Sequence, residues 1–585
     1  MFVGCVALAT SCDLTENVQV KADKSMIFGS KSGLELYSNS FYKALPTLKN
    51  GFMQDKMCDV GAVSNTDTFI KQGAYNTETA TSWSWGALKN INYFIDGCND
   101  PKYCTVDDNT RDNYLGIARW FRAWFYYDKL TTYGEVPWFP HDIQSYQNDV
   151  MYKDRDSRDV IIRNLIADLD FAYEHIQATS STGSATLTRW AAAALKSRVC
   201  LFEAAYRRYH NLTGLEITPE ELYREAAKAA KLVIDNSGCS LNTAAGKKGA
   251  YRDLFYSETP LTQEVILAVC ANEKSGIFGE QNWWFNARSY GLCWSLVRSF
   301  VHTYLKQDGT PFTAAADYAV KSFAEEMEGR DLRLEQTVRG RNFLWDGKTA
   351  VADIKNLSLT GYQVIKYTLD ESKYDGGAKN INSIPLIRYA EVLLNYAEAQ
   401  AELGVITDSE WALTVGALRK RAGITGGTET LPTTVDSYLQ RTFYPDVTSP
   451  VLLEIRRERA IELVAEGMRF DDLRRWKCGS LMETLPWSGI HIPGLEQPVD
   501  VNGDGVNDYY FTEGEVASAP AAYKNIAVRV NQDGVGLYAE ANAVAGYDLV
   551  YKTGAGDRYW YPDGRQYLYP IPAKVIRDYK NAVSY

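Results

Sequence analysis

The sequence predicts a mostly α-helical protein in which helical hairpins stack on one another. Helix-start signals recur near residues 157, 188 and 219, and this even spacing suggests repeated helical hairpins. The most informative stretch, residues 449–476, combines a helix start with apolar side chains at helical spacing. With 585 residues, 45% of them hydrophobic, the chain is long enough to bury one very large core or two domains.

Segment 449–476 begins with two helix-start residues. Ser449 is a good N-cap, and Pro450 loses nothing at the first helical position, where its missing N–H would be unpaired anyway. Gly467 is predicted to end this helix, and a second short helix then runs to Trp476. The polar side carries Glu454, Arg456, Arg457, Glu458, Arg459, Glu462 and Glu466. Two interpretations stay open: a salt-bridged structural helix, because unpaired buried charges are costly, or a catalytic cluster of Glu and Arg.

The other segments with helical patterns are residues 31–60, 83–95, 112–139, 157–175, 188–209, 219–236, 383–404 and 410–422. A polar loop is predicted at residues 61–82. Residues 242–385 are mostly irregular around one buried strand, Glu264–Val269. Residues 480–565 form a long insertion rich in Gly, Asn, Asp and Tyr.

Composition and motifs exclude several function classes. A net charge of −11 without an evident basic patch argues against nucleic-acid binding. The 39 Tyr and 14 Trp exceed what a core needs and predict exposed aromatic surface, which suits sugar rings and peptide side chains. The five histidines are dispersed, and no HExxH, GxSxG or GxxxxGK[ST] motif occurs. The 73 acidic residues include no pair that stands out as glycosidase carboxylates, so no catalytic template emerges.

The N-terminus resembles the end of a bacterial lipoprotein signal. Residues 1–12 (MFVGCVALATSC) are a short apolar run ending in small residues and a cysteine, although the usual positively charged region is missing. We predict lipidation at Cys12, with more than one acyl chain for stable anchoring, and a polar tether over residues 13–30. The alternative is a frayed hydrophobic N-terminus with an incidental cysteine. No other apolar run reaches 18 residues, so the lipid is the only membrane attachment predicted.

Two further features leave alternatives open. Cys98 and Cys104 flank a turn and form either a disulfide or two free thiols. Residues 500–508 match the first half of a calcium loop, D-x-[DN]-x-[DN]-G, with candidate ligands at Asp500, Asn502, Asp504, Val506 and Asp508. Position 12 of the loop holds Phe511 instead of an acidic residue, so a closing ligand would come from elsewhere, such as Glu513. A metal-free turn is the alternative. No cofactor is required, and a calcium ion here would rigidify the insertion.

Three segments resemble signatures of the SusD-like (RagB/SusD) family of surface nutrient-binding lipoproteins: residues 383–404 (SIPLIRYAEVLLNYAEAQAELG), 449–476 and 567–576 (YLYPIPAKVI). Weaker similarity at 83–95 and 112–139 extends the resemblance, with Lys89 where the family usually has Arg. The resemblance implies a tetratricopeptide-like helical-hairpin scaffold with long irregular loops and a few short strands. It implies one compact unit with an N-terminal part (31–240) and a C-terminal part (241–585).

The resemblance also implies a function without chemistry. A lipid-anchored protein of the outer membrane, exposed at the cell surface, would bind an oligosaccharide and deliver it to a SusC-like TonB-dependent transporter. Capture of peptides by the same fold is the first alternative, and a surface glycoside hydrolase is the second. We expect ligand contacts at Trp283, Trp284 and Tyr290, with Asn282, Asn286 and Arg288 beside them, and at Trp83 and Tyr75. Each of these rings could instead be buried under the loops.

Overall fold

The computed structural model describes residues 24–144, 147–287, 291–532, 534–554 and 557–583. Within these ranges the protein is mostly helical with a few short strands, which confirms the predicted fold class. The N-terminal helices are α1 (Lys24–Phe28), α2 (Lys31–Ser38), α3 (Gly86–Cys98), α4 (Asp108–Tyr133), α5 (Asn148–Met151), α6 (Arg158–His175), α7 (Arg189–Tyr209) and α8 (Pro219–Asn236).

The C-terminal helices carry two of the family-like segments. They are α9 (Asp253–Tyr256), α10 (Gln281–Asn286), α11 (Arg298–Val301), α12 (Phe323–Met327), α13 (Arg333–Thr337), α14 (Tyr389–Glu402), α15 (Asp408–Leu413), α16 (Val415–Arg421), α17 (Ser437–Phe443), α18 (Pro450–Glu462), α19 (Arg469–Arg475), α20 (Leu481–Thr484) and α21 (Ala573–Val583). Within the described ranges, no helix is both long enough and apolar enough to cross a membrane.

The strands are short and lie mostly in the C-terminal part. They are β1 (Gly61–Ala62), β2 (Val265–Val269), β3 (Ser295–Leu296), β4 (Leu344–Trp345), β5 (Lys348–Thr349), β6 (Ile384–Arg388), β7 (Ser488–Ile492), β8 (Pro498–Val499), β9 (Tyr509–Thr512), β10 (Ala527–Arg529), β11 (Gly536–Ala541) and β12 (Tyr547–Lys552). Strand β2 pairs antiparallel with β6, β1 with β3, and β4 with β5. The insertion 480–565 contains two three-stranded sheets, in the orders β10-β9-β8 and β11-β12-β7.

The long helices form the predicted stack. Helix α4 packs on α6, α6 on α7, α7 on α8, and α8 on α14. Side-chain oxygens of Ser157, Thr188 and Thr218 cap α6, α7 and α8 by accepting a backbone N–H three residues later, so the predicted helix starts are confirmed. The alanine run at 191–194 is fully packed in the interior of α7, and its small side chains let the neighbouring helices approach closely.

Several boundaries differ from the sequence prediction. Helix α2 ends at Ser38 and continues only as a 3₁₀ turn, and segment 383–404 begins with strand β6 rather than helix. Helix α18 starts at Pro450 as predicted but ends at Glu462, before the predicted cap Gly467. Ala465 already has a left-handed backbone, with φ of 66°, and this breaks the helix before Gly467 is reached.

The predicted tether is partly structured. Residues 1–23, including Cys12, lie outside the described residues. Residues 24–28 form α1, and Phe28 is fully buried against Gly97, where an added Cβ would lie 2.0 Å from the Phe28 ring. The last residues of the predicted tether are therefore helical and anchored to the core through Phe28, while residues 13–23 stay a prediction. Cys98, at the end of the same helix as Gly97, and Cys104 are both free thiols.

The charged face of α18 is buried and paired. Both oxygens of the Glu462 carboxylate are used: Oε1 accepts from Arg388 Nη1 at 2.6 Å and from Arg421, and Oε2 accepts from Arg333 Nη1 at 2.8 Å. Arg388 also binds Glu466 through Nε at 2.7 Å. These five side chains lie among helices and strand β6, with no more than 7% of any of them exposed. The salt-bridged structural interpretation of segment 449–476 is thus the one the structure supports.

Candidate functional site

The predicted aromatic contacts fall in three separate places. Trp283 and Trp284 lie on α10, and both are half-buried. The Trp284 indole N–H donates to Glu280 Oε2 at 3.2 Å, which fixes the orientation of that ring. Arg288 and Tyr290, predicted beside them, lie outside the described residues. The two tryptophans therefore lie on a short helix with part of their surface accessible.

Asn282 does not fit its predicted role at a ligand surface. It is fully buried, and its amide N–H groups donate to Leu369 O at 2.8 Å and Asp375 Oδ1 at 3.1 Å. Its carbonyl accepts from Leu369 N at 2.8 Å and from Asn380 Nδ2 at 2.7 Å. Because every polar atom of Asn282 is used internally, this residue locks α10 to the segment 369–380 and leaves no group for a ligand.

Asn286 takes part in the same lock. Its amide donates to Asp375 Oδ1 at 3.1 Å, and its carbonyl accepts from Gln363 Nε2 at 3.3 Å. Burial raises the pKa of Asp375, although the hydrogen bonds from both asparagines partly oppose that shift. Asn282 and Asn286, which were expected to contact a ligand, instead hold in place the helix that carries the two tryptophans.

A third tryptophan stands on the neighbouring hairpin β4–β5. Segment 369–375, which Asn282 binds, also holds this hairpin: Asp346 N donates to Asp370 O at 3.0 Å, and Ser372 N donates to Asp346 Oδ1 at 2.9 Å. Trp345 is half-buried and stacks on Phe343 with ring centroids 6.4 Å apart. Trp345 is not among the ligand contacts predicted from the sequence. The sequence signal for the hairpin that carries Trp345 is the Asp346-Gly347 pair, which favours the tight turn seen here.

Trp83 lines a different cavity. Its ring makes edge-to-face contacts with Trp85, at 5.4 Å, and with Tyr133, at 4.9 Å. The cavity has a volume of about 450 Å³ and is closed on one side by α21, where Tyr579 meets Tyr152 at 5.4 Å. Neither Trp283 nor Trp284 lines it. Trp83 is therefore part of a mostly apolar cavity beneath the C-terminal helix.

Tyr75 lies behind the wall of a second cavity, which is larger than the one that Trp83 lines. Its hydroxyl donates to the carbonyl oxygens of Arg565, at 3.0 Å, and Leu568, at 3.1 Å. Its ring lies 6.0 Å from that of Tyr561, which lines a cavity of about 880 Å³. The hydroxyl of Tyr75 thus braces the segment that carries Tyr561. The cluster of aromatic residues at 559–569 is the sequence signal for this wall, although no ligand contact was predicted there.

The calcium-like loop is held by its own backbone. Asp500 accepts from Gly503 N and Gly505 N, both at 2.7 Å, and Asn502 accepts from Asp504 N at 3.1 Å. Asp508 accepts from Val501 N at 2.8 Å, and burial together with the Asp500 and Asp504 carboxylates raises its pKa. Val506, whose carbonyl was a candidate ligand, has an exposed side chain.

The donor set only partly fits a bound calcium ion. The oxygen ligands are present in the expected order, and Gly503 and Gly505 have the left-handed backbone that such loops need. In the described part of the chain, however, no group of three or more His, Cys, Asp or Glu side chains lies close enough to hold a metal ion. The carboxylates of the loop bind backbone N–H groups instead, so calcium binding stays a prediction.

Comparison with known proteins identifies the family. A model of the SusD family matches residues 263–584, more than half of the chain. The chain belongs to the SusD family. Among solved structures, a SusD-like carbohydrate-binding protein from Bacteroides fragilis is 18% identical, with a TM-score of 0.66 over 95% of this chain and 99% of that one. No curated protein sequence matches significantly.

Two further solved structures share this SusD-family fold. A second SusD-like protein from Bacteroides fragilis is 20% identical, with a TM-score of 0.63 over 95% of this chain and 97% of that one. A SusD superfamily protein from Parabacteroides distasonis is 18% identical, with a TM-score of 0.55 over 94% and 98%. Because the coverage is nearly complete on both sides, the helical scaffold and the loop regions belong to one SusD-like fold.

Calcium binding by this SusD-family protein can be tested directly. If loop 500–508 binds the ion, excess calcium at a hundred times its dissociation constant should add about 2.7 kcal/mol to the free energy of unfolding. The Asp504→Ala variant should lose this gain, and magnesium should not replace calcium. Isothermal calorimetry and thermal unfolding measure both effects. Equal melting temperatures with and without calcium in the wild type, and no heat of binding, would show a metal-free turn.

Proposed function

We propose that this SusD-family protein binds an oligosaccharide at the cell surface, at the face formed by α10 and hairpin β4–β5. The observation that carries the proposal is the pair Trp283 and Trp284, half-buried on a helix that Asn282 and Asn286 lock in place. Rigid aromatic rings suit the apolar faces of sugars, because stacking then costs little conformational entropy. The similarity in fold to a SusD-like carbohydrate-binding protein from Bacteroides fragilis supports this choice of ligand.

The cellular setting forms part of the same proposal. Lipidation at Cys12 would hold the protein on the outer membrane, and a SusC-like TonB-dependent transporter would receive the ligand. Membership of the SusD family supports both steps. Metabolic labelling with a clickable fatty acid tests the anchoring: the label should mark the wild type and not Cys12→Ser.

The tryptophan pair gives the sharpest test of the binding face. Replacing Trp283 and Trp284 together with alanine should weaken oligosaccharide binding at least about tenfold, since 1.4 kcal/mol of lost contact corresponds to a factor of ten. A glycan array run against a peptide pool first identifies the ligand, and calorimetry then measures its affinity. Trp83→Ala is the matched control, because Trp83 is also a half-buried tryptophan but lies away from α10, in the cavity beneath α21.

Each result of this test has a defined meaning. Unchanged affinity in the double variant, with loss in Trp83→Ala, would move the site to the cavity beneath α21. Binding of peptides but not glycans would replace the oligosaccharide with a peptide ligand. New reducing ends after incubation with glycan mixtures would show a glycoside hydrolase instead of a binding protein.

A further inference from the structure

Arg456 lies in the wall of the 880 Å³ cavity with only 1% of its surface exposed. Three aromatic rings surround its guanidinium group. The guanidinium carbon is 4.4 Å from the ring centroid of Trp476, 4.9 Å from that of Tyr209 and 5.3 Å from that of Tyr444. Such contacts stabilise the cation and fix its position, but they leave its N–H groups without acceptors.

The Arg456 N–H groups find no acceptor in the described part of the chain. Nε and Nη2 are buried without a hydrogen-bond partner, and the nearest carboxylate oxygen, Glu402 Oε1, is 3.9 Å from Nη2. Glu402 is already used, because it accepts from Arg208 Nη1 at 2.7 Å and from the Tyr209 hydroxyl at 2.6 Å. A buried donor without a partner costs about 1–3 kcal/mol, so this arrangement calls for an acceptor.

The neighbouring arginines of the same helix behave differently. Arg457 binds Asp436 and donates to Thr303 O at 3.0 Å, and Arg459 binds Asp472 at 2.8 Å. Each of these two arginines therefore has a carboxylate partner within the protein. Arg456 has none at hydrogen-bonding distance, and it lines the 880 Å³ cavity.

The cavity walls suit a sugar ring. Trp560, Tyr561 and Tyr567 face the cavity together with the rings around Arg456, and the volume lies within the range typical of small-ligand sites. Aromatic walls with a single deep cation are complementary to a ring that carries one carboxylate. A planar guanidinium group binds a carboxylate through two parallel hydrogen bonds, which an ammonium group cannot do.

The acidic residues around the cavity do not exclude an anion. Asp563 is paired with Arg565 at 2.8 Å, and Glu483 accepts the Trp560 backbone N–H at 3.1 Å. Asp446 is exposed at the mouth, where solvent and salt screen its charge. Lys477, also exposed, and Arg208 line the cavity as further cations.

We propose that this cavity is a second binding site of the protein and that it takes an acidic sugar, with Arg456 holding the carboxylate and the aromatic walls holding the ring. The choice of a sugar rests on the proposed carbohydrate-binding function. The choice of a carboxylate rests on Arg456 alone.

A matched pair of probes tests this proposal. Methyl β-D-glucuronide and methyl β-D-glucoside differ only in the carboxylate at C6. We expect the wild type to bind the glucuronide at least about tenfold more tightly than the glucoside, and added salt should reduce this preference. Ligand-observed NMR and the change in tryptophan fluorescence report binding. N-acetylalanine, a carboxylate without a sugar ring, tests whether the peptide-like acid is preferred.

Variants of Arg456 and Tyr561 test whether this cavity causes the preference for the glucuronide. Arg456→Gln should abolish the preference for the glucuronide, and Arg456→Lys should restore only part of it, because lysine keeps the charge but not the paired donors. Thermal unfolding checks that both variants are folded. Tyr561→Ala, at a half-buried position, is a second variant that removes a ring from the wall and leaves the interior intact; it should weaken glucuronide binding.

The outcomes separate this proposal from that of the α10 face. The Trp283→Ala, Trp284→Ala double variant should still bind the glucuronide. Equal affinity of the wild type for glucuronide and glucoside, or no binding of either, would overturn the acidic-sugar site. Tighter binding of N-acetylalanine would overturn it in favour of a peptide carboxylate.

Discussion

Replacing Glu462 with glutamine is expected to lower the free energy of unfolding by about 3–5 kcal/mol, the usual cost of breaking a buried ion pair from one side. Glu462 is fully buried, and its two oxygens accept from Arg388, Arg421 and Arg333. Glutamine has nearly the same shape but removes the charge and turns an NH₂ group toward guanidinium donors. Urea unfolding at neutral pH, followed by far-ultraviolet circular dichroism, measures the loss.

An exposed ion pair supplies the control for Glu462. Asp235 binds Lys231 one turn away on α8 at 2.6 Å, and both side chains are more than 40% exposed. Asp235→Asn should change the free energy of unfolding by no more than about 0.5 kcal/mol, because solvent screens the pair. If Glu462→Gln lies within the same range, the buried network does not stabilise the scaffold.

Acid unfolding gives a second measurement on the same group. Burial by itself raises the pKa of Glu462, but the charges of Arg421, Arg388 and Arg333 outweigh burial and hold the pKa well below its ordinary value of 4.5. A carboxylate whose pKa is lowered by folding stabilises the protein fully above pH 4.5, and that contribution falls as the pH drops toward the folded-state pKa. The wild type should therefore lose stability more steeply below pH 4.5 than Glu462→Gln does.

The helical scaffold was predictable because its signals are local. A cap and the residues it binds lie within one turn, so Ser157, Thr188 and Ser449 mark their helices without knowledge of the fold. The end of α18 was not predictable in this way. Ala465 adopts a left-handed backbone there, and nothing in its own side chain favours that conformation over a continued helix.

The candidate site was predictable only in part because its contacts are long-range. Asn282 was expected at a ligand surface, but its partner Leu369 lies 87 residues away, and that contact decides its burial. The same limit applies to the charges of α18. Glu462 meets Arg333 across 129 residues, so the sequence could require that these charges pair but could not name the partners. Unlike Arg457 and Arg459, Arg456 has no carboxylate partner at hydrogen-bonding distance, and the sequence alone does not reveal this difference.

Replacing Trp120 with alanine is the second substitution expected to have a large effect, about 3–5 kcal/mol, because it combines lost burial with a cavity. Trp120 on α4 is fully buried, stacks on Trp124 with ring centroids 5.4 Å apart, and donates its indole N–H to Ala191 O on α7 at 3.2 Å. The small side chains of α7 leave room for this one large ring, so no neighbour can fill the space once the ring is gone.

Comparing the losses in free energy of unfolding for Trp120→Ala and Trp345→Ala shows whether packing within the helix stack stabilises the protein more than packing outside it. Trp345 is half-buried on hairpin β4–β5, away from this stack, and Trp345→Ala should cost less than about 1.5 kcal/mol in the same urea unfolding experiment. Trp120→Phe should fall between the two alanine variants, since it keeps a ring but loses the bond to Ala191. If Trp120→Ala costs no more than Trp345→Ala, α4 and α7 can repack around the cavity. In that case, the close packing of the alanine-rich helix α7 does not determine the spacing of the helices in the stack.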